Sequence, residues 1–570
     1  MRLTKADVGW RDVPDPFSEA VRHATTQDDV LRAMTQGPSS LSPKQQERQL
    51  QPASGAPAVL VPAVNGLRAL DLATGWGKLD DALGSLGAEV TAADWCYTRL
   101  RFRRLLGEPG ADTAVHIDPR KPLPFPDGAF DVVFVDALQL EQAFSDRPDG
   151  VVTGSRVLLA EVHRVLAEDG TLVYGSRNPL RRRHRLEGAG HLARTLRDVL
   201  RPWGQRRLAH AGFTVARVLA ASPRRGSRYA ILPLDLLPKH LLRVAAARSA
   251  GNALKRRLGE AVVRVGMSRW LVSDYFVVAH RSTAPDDTPA PLVETLHPSA
   301  GADAPVQLLS DERVAVLAGD EFVKFPLSPR QQDALLLEEE KTDVVRTTSF
   351  APYLVPWSRV ETWKHVPYVV SPRMEQRGET FPGEALAVLS DVLERQQTED
   401  HRPLTDTAVW RRLNSRRGQD DLATMGAQTL YRWLTERYAD HRVPVGPTHG
   451  DLHVDNVLLS PQGPVLVDWN RFELDNPLFL DPAYAAVRAH ERAARQALSA
   501  CFAAFADGEL DDPLAARADE TLGELDRLSA AVLMLLDRIV SYSEPRERIK
   551  PWTIRPLADA VQELSARLRA

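Results

Sequence analysis

Toward the C-terminal end of the chain, His449-Gly450-Asp451-Leu452-His453-Val454-Asp455-Asn456 places a carboxylate and an amide with four residues between them. That pairing suits phosphoryl transfer. Asp451 takes the proton of an attacking hydroxyl, and Asn456 holds a magnesium ion against the phosphates. NVLLS-PQGP-VLVDW follows and reads as two apolar strands around a Pro/Gly turn, a hairpin that returns Asp468 beside Asn456 as a second metal ligand. Phosphoryl transfer consists mostly of positioning and charge neutralisation, so one base and two metal ligands are the minimum apparatus.

A second constellation lies in the N-terminal half. Asp71-Leu-Ala-Thr-Gly75-Trp-Gly77 follows an apolar run and opens a helical pattern. Glycines at such a turn let the backbone approach a bound ligand closely. Asp94 ends the next apolar run, where an acid commonly grips a ribose diol. LPFPDGAFDVVFVDAL then supplies a turn, a strand, and Asp136 near the strand's carboxyl end. Ligands of open α/β sheets bind beyond those ends, so Asp71, Gly75, Gly77, Asp94 and Asp136 are expected around one crevice. The dinucleotide pattern G-x-G-x-x-G fails, because Asp80 stands three residues after Gly77.

The elements needed to hold these residues are legible in outline. From Leu67, strand-like runs (RALDLA, AEVTAAD, FDVVFVDAL, TLVYGS) alternate with helical ones, including VLLAEVHRVLAEDG, closed by Gly170. LRPWGQRRLAHAGF continues as a helix and DYFVVAHR as a last strand. That order predicts a parallel sheet covered by helices on both faces. Residues 1–55 form an N-terminal extension, with a helix around Phe17–Met34 and then a polar run. Residues 283–306, rich in Pro, Ala and Asp, read as a linker between a domain at 56–282 and another at 307–570. In the latter, the strand runs RVAVLAG, EFVKFPL and VPYVVSP precede long amphipathic helices such as EALAVLSDVLERQQ and LATMGAQTLYRWLTERYADH.

The first constellation, with the AEVHRVLAEDGTLVY segment, resembles the class I S-adenosylmethionine-dependent methyltransferases over about 55–282. Ala73 stands where that family usually has its first glycine. The resemblance implies a Rossmann-like α/β domain with a mainly parallel sheet and S-adenosylmethionine as cofactor. The segment HGDLHVDNVLLSPQGPVLVDWNRFELDNPLFLDPAY resembles the aminoglycoside phosphotransferase and choline kinase family over roughly 295–570. That implies an α+β, bilobal, protein-kinase-like domain using ATP and Mg2+. It casts Asp451 as the base, Asn456 and Asp468 as magnesium ligands, and Asp481 as a structural acid. His449 and His453 then belong to the scaffold. Lys324, in EFVKFPL, is set against the ATP phosphates, with Glu338, Glu339 and Glu340 competing as its carboxylate partner. Asn470 stands where the family often has an acid, and no glycine-rich loop precedes Lys324.

Composition narrows the setting. The 570 residues exceed one typical core and favour two domains. A formal net charge of −3 gives no reason to expect nucleic acid as a partner. Cys96 and Cys501, far apart, make no disulfide framework and suit a reducing cytoplasm. No run approaches the ~20 apolar residues of a membrane-spanning helix, and the first residues lack a signal peptide's apolar core. One local asymmetry stands out. Arg177, Arg181, Arg182, Arg183, Arg185, Arg194, Arg197, Arg201, Arg206 and Arg207 share their span with only two acids, Glu187 and Asp198. Three readings stand: a solvated basic face, a guanidinium-rich mouth for an anionic acceptor, or peripheral docking to an anionic membrane surface. Together these features predict a cytoplasmic enzyme with two transferase activities acting on one small-molecule or glycan acceptor, such as a surface-polysaccharide sugar or an antibiotic-like natural product. The competing prediction is a regulatory binding protein with one catalytically inactive domain.

Overall fold

The computed structural model describes residues 2–5, 23–26, 29, 55–62, 66–72, 79–105, 113–136, 150–177, 205–222, 230–248, 261, 272, 274–282, 290–297, 299–301, 304–310, 312–374, 382–494, 496–543 and 551–569. The chain divides into two units. One comprises Met1–Gln27, Arg48–Gln332 and Glu361–Arg373; the other comprises Asp28–Glu47, Asp333–Val360 and Met374–Ala570.

The first unit is organised by a sheet whose strands, in chain order, are β1 (Arg2–Lys5), β2 (Arg68–Leu72), β3 (Glu89–Asp94), β4 (Thr113–His116), β5 (Phe130–Asp136), β6 (Leu166–Arg177), β7 (Thr214–Ser222), β8 (Ala230–Pro233), β9 (Asp274–His280), β10 (Val306–Ser310), β11 (Arg313–Ala318), β12 (Glu321–Pro326), β13 (Arg359–Trp363) and β14 (Val366–Pro372). Their spatial order is β1-β4-β3-β2-β5-β6-β9-β7-β8-β10-β11-β12-β14-β13. β1 to β6 pair in parallel, and β9 enters antiparallel between β6 and β7. The parallel strands are apolar on both faces because both are covered. Ala69, Val132, Phe134, Phe276 and Val278 point into one core, while Leu70, Leu72, Val133, Val135 and Val277 point into the other. The doubly covered, mostly parallel methyltransferase fold read from the sequence is therefore present. β1 joins it unannounced, paired with β4 from residues that gave no strand signal.

Three local expectations are corrected. The helix preceding β6 ends at Val165, not at Gly170. β6 begins at Leu166 and carries a register shift, in which Gly170 sits where an added Cβ would meet Leu166 Cγ at 2.6 Å. The glycine permits this folded-back approach rather than capping a helix. Residues 291–297, inside the run read as a linker, are folded. Leu292, Val293, Leu296 and Ala300 are buried with Ala56–Leu60, and the Leu292 N–H donates to Val61 O at 2.9 Å. The boundary at 307 also differs. β10 pairs antiparallel with β8 (Val306↔Ile231, Gln307↔Ala230), and Val314, Val323 and Phe325 join the same core as Ala69, so these strands belong to the first unit. The helix expected at Phe17–Met34 and residues 283–289 lie almost wholly or wholly outside the described residues.

The second unit combines helices with two small antiparallel ladders. β15 (His401–Pro403), β16 (Arg442–Thr448) and β19 (Glu473–Pro477) form one; β17 (Val457–Ser460) and β18 (Gly463–Leu466) form the hairpin that the sequence predicts. The run LATMGAQTLYRWLTERYADH is two helices, Arg416–Thr424 and Gln428–Tyr438, not one. Gly426 takes φ +70° between them, and the Ala427 N–H returns to Leu422 O at 2.8 Å, the left-handed stop that glycine adopts without a Cβ penalty. At the centre lies the helix Arg527–Ser543, where Ala530, Ala531, Val532, Leu533, Leu535 and Leu536 are fully buried. A helix apolar all round belongs inside; Asp537 and Arg538 in its middle are the exceptions. No helix among the described residues is long and apolar enough to cross a membrane.

Candidate functional sites

In the first unit the sheet register does the positioning. Asp71 stands beside Ala92 and Phe134, Asp94 beside His116, and Asp136 beside Gly175, so the three acids gather at the carboxyl ends of neighbouring strands. Asp71 and Asp94 are buried. Asp94 Oδ1 accepts the Cys96 N–H at 2.7 Å, and its Oδ2 lies 3.6 Å from Arg99 Nη1. Both contacts fix the carboxylate at the strand end. Gly75 and Gly77 lie outside the described residues, as do the arginines from Arg181 to Arg201. Lys324 sits on β12, between Ala315 and Val369, out of step with the buried Val323 and Phe325.

In the second unit β16 delivers the chain into a tight turn. Gly450 has φ +78°, and a Cβ there would lie 2.3 Å from Arg471 O, so only glycine fits. Asp481, at the start of the helix Leu480–Ala494, anchors this turn. Its Oδ2 accepts the His449 N–H at 2.7 Å and its Oδ1 the Gly450 N–H at 2.9 Å. Gln396 Nε2 donates to the same carboxylate at 3.2 Å and to Pro447 O at 3.1 Å. Burial pushes the Asp481 carboxyl up to about 6, against the lowering effect of those donors. The structural part given to this acid fits the geometry.

His449 is fully buried, and burial lowers its pKa to about 4, so the ring is neutral. Its Nε2 pairs with Val467 O at 3.1 Å, which requires the proton there and leaves Nδ1 to accept the Asp451 N–H at 3.3 Å. The ring centroid also lies 4.5 Å from that of Trp469, with the two rings tilted by 43°. This is scaffold, with no face open to a substrate.

Asp451, Asn456 and Asp468 are linked by short-range bonds. Asn456 Nδ2 donates to Asp451 O at 2.9 Å, which turns its Oδ1 away from that bond. The Val467 N–H donates to Asn456 O at 3.0 Å and so brings Asp468, the next residue, to Asn456. Asp468 takes φ 73°, ψ 56°, a left-handed conformation costing a non-glycine residue on the order of 1–2 kcal/mol. The Asn456 amide oxygen and the Asp468 carboxylate are hard oxygens of the kind that could hold a magnesium ion.

Asp451 itself is clamped. Arg538 Nη1 donates to its Oδ1 at 2.7 Å and Nη2 to Gly450 O at 2.6 Å. His453 Nε2 lies 3.7 Å from Oδ2. Burial alone would raise the Asp451 pKa, but the Arg538 guanidinium, with His453 and Arg471, holds it well below the usual carboxylate range. Arg538 lies flat on Tyr484, its Cζ 3.4 Å from the ring centroid. Beside it, Asp537 bonds Arg412 at 2.5 Å, and Arg412 and Lys341 both reach Glu473. Sequence reasoning missed Arg538, Tyr484 and Gln396. The available signal was the charged pair Asp537-Arg538 within the apolar run SAAVLMLLDRIVSY. Of the competing glutamates, Glu338 is buried, Glu339 accepts from Ser358 Oγ at 2.6 Å, and Glu340 is exposed.

Residues 353–518 match the phosphotransferase enzyme family, and residues 70–174 match a methyltransferase domain. Among solved structures, an S-adenosylmethionine-dependent methyltransferase from Mesorhizobium loti is similar at 20% identity, over 40% of this chain and 96% of that one, with a TM-score of 0.25. A geranyl diphosphate C-methyltransferase from Streptomyces coelicolor is similar at 14% identity, over 40% and 78%, with a TM-score of 0.24. Scores of this size carry no argument about activity. A search of curated proteins found no match. The chain joins a methyltransferase domain to a domain of the phosphotransferase enzyme family.

Proposed function

We propose that the chain is a cytoplasmic transferase with two activities: it methylates from S-adenosylmethionine, and it phosphorylates a hydroxyl from Mg-ATP. Both reactions act on one sugar-containing or natural-product acceptor, because tethering two enzymes raises the effective concentration of a shared intermediate. The observation that carries the reading is the grouping of Asp451, Asn456 and Asp468 around one rigid turn. Asn456 Oδ1 and the Asp468 carboxylate would hold magnesium, which would supply neutralisation of the phosphate oxygens. Asp451, already ionised, receives the acceptor's proton. In a loose transition state the nucleophile keeps its proton until late, so a weakly basic carboxylate suffices. In the first unit Asp94, at the end of β3, would grip the ribose of S-adenosylmethionine, with Asp71 and Asp136 at the ends of the neighbouring strands. Methyl transfer from a sulfonium then needs an in-line nucleophile and exclusion of water more than a dedicated base.

Isothermal titration of the full chain with S-adenosylmethionine and with Mg-ATP tests this directly. Both are expected to bind. Absence of Mg-nucleotide binding removes the phosphotransferase reading, and NAD(H) binding in place of S-adenosylmethionine moves the first unit to another class.

A further inference from the structure

We infer that Arg538 is the positioning residue of the phosphotransferase site, fixing Asp451 through Oδ1 so that Oδ2 alone faces the acceptor hydroxyl. The inference rests on the reading of Asp451 as the base. A carboxylate on a turn can rotate about its Cβ–Cγ bond and offer either oxygen. Here Arg538 removes that freedom, since its two terminal nitrogens bridge Asp451 Oδ1 (2.7 Å) and Gly450 O (2.6 Å). A planar guanidinium is suited to such a fork, and a lysine ammonium is not. The fork is itself held in place. Its side chain is 5% exposed, lies on the Tyr484 ring, and follows Asp537, which is bonded to Arg412. The other oxygen is differently placed. The Asp451 side chain is 19% exposed, and its Oδ2 has His453 Nε2 at 3.7 Å, beyond hydrogen-bond distance.

The reaction then balances as follows. The acceptor oxygen attacks the γ-phosphorus, the bond from phosphorus to the bridging oxygen breaks with its electron pair leaving on ADP, and the acceptor's proton passes to Asp451 Oδ2. Arg538 touches none of the reacting atoms. It acts through Asp451, and this separates it from a residue that binds substrate.

The test uses the full chain, Mg-ATP as the probe and water as the phosphoryl acceptor. Arg538→Gln is expected to lower kcat about 10²-fold, the scale of misplacing a reacting group by an ångström. KM for Mg-ATP should stay within about twofold of wild type, because the fork does not reach the metal ligands. Arg538→Lys keeps the charge but not the fork, and is expected to recover only part of the rate. In the Asp451→Asn background, Arg538→Gln should cause no further loss, since its route of action is already gone. Full turnover in Arg538→Lys, a KM effect without a kcat effect, or losses that multiply in the double variant would each overturn the proposal. Wild-type turnover in Asp451→Asn is a different outcome and removes the base instead. If Arg538→Gln does not fold, a crystal structure of Arg538→Lys decides: the Asp451 carboxylate is expected to turn from its present orientation, and an unchanged carboxylate refutes the inference.

Discussion

Asp94 and Asp451 both sit where a strand gives way to a turn, yet they are held in unlike ways. Asp94 takes its place from the parallel register of β2, β3 and β4, and its carboxylate bonds to Cys96 and Arg99 within the next few residues. Asp451 lies beyond β16 in a turn that no ladder holds. Its position depends on Asp481, Arg538 and, through His449, on Val467, residues up to 87 positions away. A site at the ends of parallel strands is placed by topology, and one side chain can change without moving the rest. A site in a turn is placed by buried polar bonds, and each bond removed strands its partners.

The contrast can be broken most sharply at Asp451. Asp451→Asn keeps the shape and removes the base, so turnover with Mg-ATP should fall about 10²- to 10⁴-fold while Mg-ATP affinity measured by calorimetry stays near wild type. Next in size is Asp481→Ala, which leaves the His449 and Gly450 N–H groups without their acceptor. It should cost about 2–5 kcal/mol in urea unfolding followed by tryptophan fluorescence. A cost as small as that of a surface substitution would show that the turn holds itself.

Acidification distinguishes the same two scaffold groups by sign. His449 stays neutral in the fold down to about 4, whereas an unfolded histidine takes its proton near 6.5. Between those values the unfolded state binds more protons, so this group lowers stability as pH falls, by about 1.4 kcal/mol per pH unit. His449→Gln should therefore gain on wild type as pH drops from about 6 to 4. Asp481, raised to about 6, works the other way: the folded state takes its proton first, and stability rises as pH falls toward the unfolded value of 3.8. Asp481→Asn should lose ground to wild type over the same window. Urea midpoints at several pH values measure both, and parallel curves would refute the pair.

The smallest effect is expected in the first unit. Asp94→Ala should weaken S-adenosylmethionine binding by about 1–3 kcal/mol, the cost of unpaired ribose hydroxyls, with little change in global stability because the β3 ladder remains. A collapse in stability instead would make Asp94 a scaffold group like Asp481.

What the sequence disclosed follows the same division. β2, β3, β5 and the hairpin of β17 and β18 were readable because apolar runs and turn residues are local signals. Asp451, Asn456 and Asp468 lie within eighteen residues, so their grouping could be read from spacing. Arg538 could not be paired with Asp451, because nothing local ties positions 87 apart. Gly170 and Gly426 misled in opposite senses. One looked like a helix stop and proved to be a close approach within β6; the other lay inside a run read as one helix and proved to be a stop. In both cases packing elsewhere decided which of glycine's freedoms was used. The Pro-rich run before β10 misled by composition, since Leu292, Val293 and Leu296 outweighed its prolines once a core was available to receive them.

The pairing of β8 with β10 reaches beyond architecture. Among the described residues two pairs make the seam, and across it one hydrogen-bonded ladder passes from strands of the methyltransferase pattern to strands that the sequence assigns elsewhere. Cutting the chain between residues 283 and 306, where composition invites a cut, would leave β8 and β10 each with an open row of amides and carbonyls, a ready template for pairing with other copies. A cut that respects the seam would keep the β8–β10 ladder intact, with its borders set by edge chemistry instead of by a proline-rich stretch.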